Sequence, residues 1–166
     1  MVVKKIFPLI ILLIFSSSAF ANTPRSTGKY KNWESFVAET EKGKICFAQT
    51  VPTKRAPGAI QRDQSKLFVT FRPGENIKDE VSVTSGHDYK SSTVTASSGK
   101  KRYSLFSQKN FAWLLDDREE KNFIKLMKTA TNLIVKARPA KGAETNDHYS
   151  MMGFTKAYNT AKKTCG

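Results

Sequence analysis

The chain has 166 residues, with 28 lysines and arginines against 14 acidic residues and a formal net charge of +14. Only 25% of the residues are charged and eleven are phenylalanine, which excludes a disordered basic tail and favours a packed globule. A chain of this length is normally one domain and can bury about 70% of its unfolded surface.

The N-terminus has the pattern of a secretory signal peptide. Lys4 and Lys5 precede an apolar run of ten residues, and residues 19–21 supply the small-x-small pattern that signal peptidase accepts. A membrane span needs roughly 20 apolar residues, so a retained anchor is the weaker interpretation. We therefore predict a signal peptide over residues 1–21. Cleavage would leave 145 residues with a formal charge of +12. We expect this mature chain to have no integral membrane segment and to be located in the periplasm or outside the cell.

The following segment is polar and the rest of the chain is rich in short β-type runs. Residues 22–32 contain Pro24 and Gly28 and predict a flexible leader. From Trp33 onward, β-branched and aromatic runs alternate with turn residues. The predicted strands cover residues 33–39, 44–50, 67–72, 80–85, 92–96, 102–106, 111–115 and 132–138. Short strands at regular spacing favour a sandwich or barrel.

Two segments have the pattern of helices. Asp117 and Glu120 resemble a capping box, and apolar residues then recur at i, i+3, i+4 and i+7 over residues 123–130. A second helix is predicted to begin near Thr155, whose hydroxyl is expected to cap it. Its apolar residues lie within a narrow arc that includes Cys165, so this cysteine is expected to face the core.

These elements predict a mainly β fold, a single-domain β-sandwich over residues 33–166 with two covering α-helices. The chain has two cysteines, Cys46 and Cys165, and an even pair in an exported chain usually forms a disulfide. Such a bond would close a long loop and contribute about 5 kcal/mol in the chain-entropy model. No cysteine or histidine pair has metal-ligand spacing, so we predict no metal and no cofactor.

The stretch TNDHYSMMGF, residues 145–154, places an acid, an imidazole and a hydroxyl close together in Asp147, His148 and Ser150. In an extended segment Asp147 and Tyr149 share one face, whereas His148 and Ser150 share the other, so Asp147 cannot orient the imidazole. The preferred interpretation is a structural corner. Asp147 accepts backbone N–H groups at a turn, the Tyr149 hydroxyl bonds to backbone, and Gly153 allows a tight exit into the last helix.

The basic surplus suggests an anionic partner. Lys100, Lys101 and Arg102 follow a Ser-Ser-Gly sequence that predicts a hairpin tip, which makes them the best candidate patch. Dispersed lysines also serve solubility alone, and that alternative stays open. An exported protein would meet anionic lipid headgroups, phosphorylated glycolipid or acidic polymers, whereas nucleic acid is disfavoured by compartment. His87 lies in a polar turn and is predicted to be a solvated side chain.

An ordered set of residues resembles a known family. The set comprises Trp33, Ile45, Cys46, Arg62, Val69, Thr70, Arg72, Pro73, Glu80, Val81, Ser82, Gly86, Leu105, Phe106, Ala112, Trp113, Met127, Asp147, Tyr149, Ser150, Gly153, Phe154, Thr155 and Cys165. In this order they resemble the invasion-associated locus B family of small exported bacterial envelope proteins, from about residue 33 to the end. The family is associated with host-cell invasion in some pathogens. The resemblance implies no enzymatic activity, cofactor or catalytic residue, and threonine is usual in the family where His148 stands.

The expected function is therefore that of a non-catalytic exported envelope or interaction protein that binds an anionic envelope or host-surface partner. Two alternatives remain. A hydrolase would use His148 and Ser150 with an acid other than Asp147. A periplasmic structural or chaperone-like factor would show an exposed apolar groove between the sheets.

Overall fold

A computed structural model of the chain describes residues 23–166, so the predicted signal peptide lies outside the described residues. The described chain is mainly β with two α-helices, which confirms the predicted fold class. The strands are β1 (Arg25–Tyr30), β2 (Trp33–Thr40), β3 (Gly43–Thr50), β4 (Lys54–Ala56), β5 (Lys66–Arg72), β6 (Ile77–Thr84), β7 (Tyr89–Ser98), β8 (Lys101–Gln108), β9 (Phe111–Trp113), β10 (Asn132–Pro139) and β11 (Thr145–Ser150). The helices are a short 3-10 turn (Pro73–Glu75), α1 (Asp117–Thr129) and α2 (Phe154–Cys165). No helix among the described residues has the length and apolar character needed to cross a bilayer.

The strands form one antiparallel sheet in the order β1-β2-β3-β5-β6-β9-β8-β7-β10-β11-β4. Strand β8 joins two halves of this sheet, because its residues 101–105 pair with β7 and its residues 106–108 pair with β9. We call β1, β2, β3, β5, β6 and β9 the first half of the sheet, and β7, β10, β11 and β4 the second half. Strand β8 contributes to both halves. Buried side chains of both halves belong to one hydrophobic core, as expected of a sandwich.

Helix α2 is fixed to the first half by covalent and aromatic contacts. Cys46 of β3 and Cys165 of α2 form the predicted disulfide, with an S–S distance of 2.09 Å. The rings of Trp33 and Phe154 lie 4.8 Å apart between centroids. Since these contacts hold the helix at both ends, α2 and the strands beneath it form one packed unit.

Both helix caps differ from the prediction. The N-cap of α1 is Asp116, whose side chain accepts the Glu119 N–H at 2.7 Å, and Asp117 is already the first residue of the helix. The N-cap of α2 is Gly153, and no side chain caps this helix, so the predicted Thr155 cap is wrong. A left-handed glycine at that position already turns the chain into the helix.

Residues 25–30, predicted to belong to a flexible leader, form the edge strand β1 and pair with β2. Their polar composition suits an edge, where one side of the strand faces water. The Ser26 hydroxyl donates to Glu34 at 2.7 Å, and Tyr30 shares a hydrogen bond of 2.9 Å with Thr160 of α2. These contacts with β2 and α2 give the segment an ordered place in the fold.

Candidate functional site

Asp147 lies in the middle of β11 and is fully buried. Its carboxylate accepts two hydrogen bonds from Arg62, at 2.7 Å from Nη1 and 2.5 Å from Nη2. The same guanidinium donates to the Ser65 hydroxyl at 2.8 Å and to the Ser85 carbonyl at 2.6 Å. The expectation that Asp147 accepts backbone N–H groups at a turn is therefore wrong. A buried bidentate ion pair occupies the carboxylate, since an unpaired charge at this depth would be costly.

Tyr149 points into the core beside this ion pair. Its side chain is fully buried, and its hydroxyl has no hydrogen-bond partner among the described residues. The predicted bond to backbone is therefore absent. Burial, and then the negative charge of Asp147, raise the pKa of the Tyr149 hydroxyl well above its usual value. Tyr149 is consequently a neutral core side chain.

The proposed hydrolase pair is not assembled. Ser150 is buried, and its hydroxyl accepts the N–H of Met152 at 3.2 Å. No hydrogen bond joins the side chains of His148 and Ser150 within residues 23–166. A general base must reach its nucleophile directly or through one water, so this geometry gives the hydrolase hypothesis no support.

The chain turns from β11 into α2 at residues 151–153. Gly153 has φ of 96°, and a Cβ atom placed there would lie 1.8 Å from the carbonyl oxygen of Tyr30. Only glycine fits such a close backbone approach at positive φ. The corner therefore exists, but it lies after β11 rather than at Asp147.

His87 is half-buried rather than a fully solvated loop side chain. Its Nε2 atom lies 3.0 Å from the Thr145 hydroxyl, and its ring packs edge-on against Tyr89. Burial lowers the pKa of the imidazole, with the charge of Arg62 acting in the same direction. Among the described residues, no group of three or more potential ligands could hold a metal ion.

The predicted basic patch lies where β7 turns into β8. Ser98 pairs with Lys101 across this turn, and Gly99 has a φ of 56°. Lys100, Lys101 and Arg102 are exposed. Arg102 is on the outer side of the second half, because Tyr103, next to it in β8, packs inward against Phe123 of α1.

Strand register places further cations on the same outer side. Lys54, His148, Ile134, Ser97 and Arg102 form one row across β4, β11, β10, β7 and β8. Strands lie about 4.8 Å apart, so the backbones of the first and last residue in this row are about 19 Å apart. The row therefore crosses the whole second half of the sheet and has a cation at each end.

The next rows add two more cations. Lys136 lies opposite Thr95, and both line a shallow cleft of about 350 Å³ with Thr93, Arg102, Arg138 and Glu144. Glu144 is the one carboxylate in this lining and lies 3.9 Å from Arg138. We call Lys54, Arg102, Lys136 and Arg138 the cationic sheet face. All four side chains are exposed. The three cations that line the cleft outnumber its single carboxylate.

Part of this face could have been found in the sequence. Lys136 and Arg138 alternate with the buried Val135 and Ala137, and a period of two places them on the opposite side of a strand. Their proximity to Arg102 depends on strand order, which a single sequence does not give. Lys54 and Arg55 are recognisable in the sequence as a basic pair, but β4 has only three residues and a polar composition, so the strand that places Lys54 on this face was not predicted.

A second cleft, of about 570 Å³, lies between β6 and α1 and includes Glu80, Asp117 and Glu120 in its lining. The Glu120 carboxylate accepts the N–H of Val81 at 3.0 Å. Burial raises the pKa of Glu120 to about 7, and the charges of Glu80, Asp117 and Asp79 act in the same direction. The cleft thus holds a carboxyl group that binds a proton near neutral pH, a feature that sequence reasoning missed.

No family model matches the chain, and no curated protein or solved structure is significantly similar to it.

Proposed function

We propose that the protein is a non-catalytic exported envelope protein that binds an anionic partner through the cationic sheet face. The signal-peptide pattern and the resemblance to the invasion-associated locus B family support an envelope location. The Cys46–Cys165 disulfide is compatible with an oxidising compartment. The observation that carries the proposal is the set of four exposed cations on one side of the second half, three of which line a cleft that contains a single carboxylate.

The chemistry of this face suits phosphate, sulfate or carboxylate groups. Arg102 and Arg138 offer planar pairs of donors that can bind an oxyanion in bidentate fashion. Thr93 and Thr95 line the cleft between the cations and carry hydroxyl groups. Because the cations are on strands, binding requires little ordering of the backbone. A span of about 19 Å favours an extended or multivalent anion over one small ion.

The test measures binding of the signal-free protein, residues 22–166, to vesicles that contain a phosphorylated outer-membrane glycolipid. Neutral vesicles are the reference, and a soluble acidic polysaccharide is the competitor. Raising NaCl from 50 to 200 mM should weaken binding at least tenfold, because exposed charges are screened over about 8 Å at physiological salt. Binding that does not change with salt would overturn the proposal.

Location is tested with two charge-reversal variants that change the net charge equally. The triple substitution R102E, K136E and R138E should weaken binding at least tenfold. The control K125E, K156E and K163E reverses three exposed lysines on the helices and should change binding less than threefold. A third variant, K100E, K101E and R102E, measures the contribution of the hairpin tip. Equal losses in the first two variants would show that bulk charge rather than this face binds the vesicles.

A further inference from the structure

The disulfide joins two sulfur atoms with different surroundings. Cys46 pairs with Val37 of β2 on one side and with Phe71 of β5 on the other, and it is fully buried. Cys165 is the last residue of α2 and is only half-buried, at the edge of the core. Solvent therefore reaches the bond from the side of Cys165 and not from the side of Cys46.

A cleft of about 350 Å³ adjoins the exposed end of the bond. Cys165 lines this cleft together with the apolar side chains of Phe71, Pro73 and Ile77, whereas Cys46 is not part of the lining. The Sγ atom of Cys165 lies 3.8 Å from the Phe71 carbonyl oxygen, so the sulfur is beside the lining. The charged side chains of the cleft have both signs, in Lys78, Lys162 and Asp79. Access rather than charge thus decides what can reach the sulfur.

Thiol–disulfide exchange depends on which sulfur an incoming thiolate can reach. The thiolate attacks one sulfur from the side opposite the other, and the cleft beside Cys165 is the approach that the fold leaves open. Cys46 becomes accessible only on unfolding, and the unfolded fraction of a stable small domain is about one molecule in a thousand or fewer. Apolar surroundings also disfavour release of Cys46 as a thiolate, which slows the exchange but does not redirect it.

We propose that Cys165 is a site of reversible S-thiolation by the thiolate of another molecule. The chain has no third cysteine, so no thiol of its own can attack the bond. The incoming sulfur forms a bond to the Cys165 Sγ atom as the Cys46–Cys165 bond breaks. The electron pair of that bond leaves with the Cys46 sulfur, which takes up one proton from water and becomes a buried thiol. One disulfide is formed for each one broken, so the step needs no oxidant, and its reverse restores the native bond.

The bond is also the last anchor along α2. The Tyr158 hydroxyl donates to Asp79 at 2.5 Å, and Tyr30 shares a hydrogen bond of 2.9 Å with Thr160. Both contacts precede the final turn of the helix, and the buried Ala161 follows them directly. Opening the bond should therefore release residues 162–165 while the rest of α2 remains on the sheet.

The test is adduct mapping on the native oxidised protein, residues 22–166. One sample is incubated with glutathione, and another with a thioredoxin-type protein whose second active-site cysteine is replaced by serine. Each is quenched in acid, denatured, blocked with N-ethylmaleimide and analysed by peptide mass spectrometry. The adduct should be on Cys165, with the maleimide on Cys46, at least ten times as often as the converse.

The two reactants distinguish small thiols from protein thiols as the source. An adduct with glutathione assigns small thiols, and an adduct with the protein alone assigns a protein cysteine. Equal adducts on the two cysteines, or no adduct with either reactant, would overturn the proposal. The site is on α2 and the first half, so this result is independent of vesicle binding by the cationic sheet face.

Single-cysteine variants test access without depending on the lifetime of the adduct. The thiol of C46A should react with a small aromatic disulfide at least ten times faster than the thiol of C165A in native buffer. The two rates should be similar in concentrated guanidinium chloride, and circular dichroism shows whether each variant is folded. Equal rates in two folded variants would overturn the proposal.

A cleft-filling variant tests the route and keeps both cysteines. I77W places a larger side chain in the lining and should slow opening of the bond by glutathione at least threefold. The control M152W puts the same ring at an exposed position beyond the other end of α2 and should leave the rate unchanged. Equal rates in I77W, M152W and the natural chain would show that the thiol does not enter through this cleft.

Discussion

The buried pair of Arg62 and Asp147 ties the loop before β5 to the middle of β11. Both side chains are almost fully buried, with 2% and 0% exposure. Ser65 and Ser85 accept further hydrogen bonds from the guanidinium, so the pair joins segments of both halves of the sheet. Removing one member of a buried pair is costly because it leaves the other charge without compensation.

We expect D147N to lower the free energy of unfolding by about 3 kcal/mol, measured by urea denaturation. R62M should lower the free energy of unfolding by a similar amount. In the double variant the loss should be smaller than the sum of the two single losses by at least about 1 kcal/mol, because the two residues interact directly. The control is E144Q, which breaks the exposed contact with Arg138 and should cost about 0.5 kcal/mol or less. Additive effects of D147N and R62M would contradict the interpretation.

Glu120 gives a prediction for the dependence of stability on pH. Its folded-state pKa is raised from 4.5 to about 7, chiefly by burial, so the folded protein binds this proton more tightly than the unfolded chain does. The stabilisation is complete below pH 4.5 and is lost as the pH rises through about 7. We expect this group to lower the free energy of unfolding by on the order of 2 kcal/mol across that interval.

Urea denaturation at several pH values checks this expectation. E120Q should flatten the decrease in stability between pH 5 and pH 8, because glutamine stays neutral. E41Q, at an exposed turn position, should retain the pH profile of the natural chain. A wild-type profile in E120Q would show that another group titrates in this range.

At the scale of elements, the passage from β11 to α2 depends on one glycine. Gly153 combines a φ of 96° with a close approach to the Tyr30 carbonyl, so this turn also sets the position of α2 against β1. Trp33 reinforces the junction by donating its indole N–H to the Ser150 carbonyl at 2.9 Å.

G153A should lower the free energy of unfolding by about 3 kcal/mol, because alanine adds both positive-φ strain and a clash with backbone. Gly43 provides a matched control. It has a φ of 101° but no atom within 4 Å of the added Cβ, so G43A should cost only about 1 kcal/mol. If G153A and G43A lowered the free energy of unfolding equally in chemical denaturation, the contact with Tyr30 would have no part in the effect.

At the scale of the whole molecule, the disulfide closes a loop that includes most of the described chain. Cys46 and Cys165 are separated by 119 positions. In the chain-entropy model, a cross-link over such a loop destabilises the unfolded state by about 5 kcal/mol.

We therefore expect the double substitution C46A and C165A to lower the free energy of unfolding by about 4 kcal/mol, measured in guanidinium chloride. Reductant should destabilise the natural chain by a similar amount and leave the double variant unchanged. If reductant destabilised both proteins equally, the effect would come from something other than this bond.

The elements were predictable from sequence where periodicity was strong. The runs over residues 67–72 and 132–138 closely match β5 and β10, because alternating burial selects strands with a period of two. β1 and β4 were missed because edge strands are polar and depend on their neighbours for backbone hydrogen bonds. Asp147 was placed in a turn because its partner, Arg62, is 85 positions away.

By itself the sequence determined the strand-rich class, the two helices, the disulfide pair and the large positive charge, since each depends on local periodicity, composition or a unique pairing. Only the tertiary structure decided which cations share a face and which carboxylates are buried. Those properties depend on strand order and register, which are set by packing among residues far apart in the chain. The cationic sheet face is therefore a property of the folded sheet rather than of any one segment.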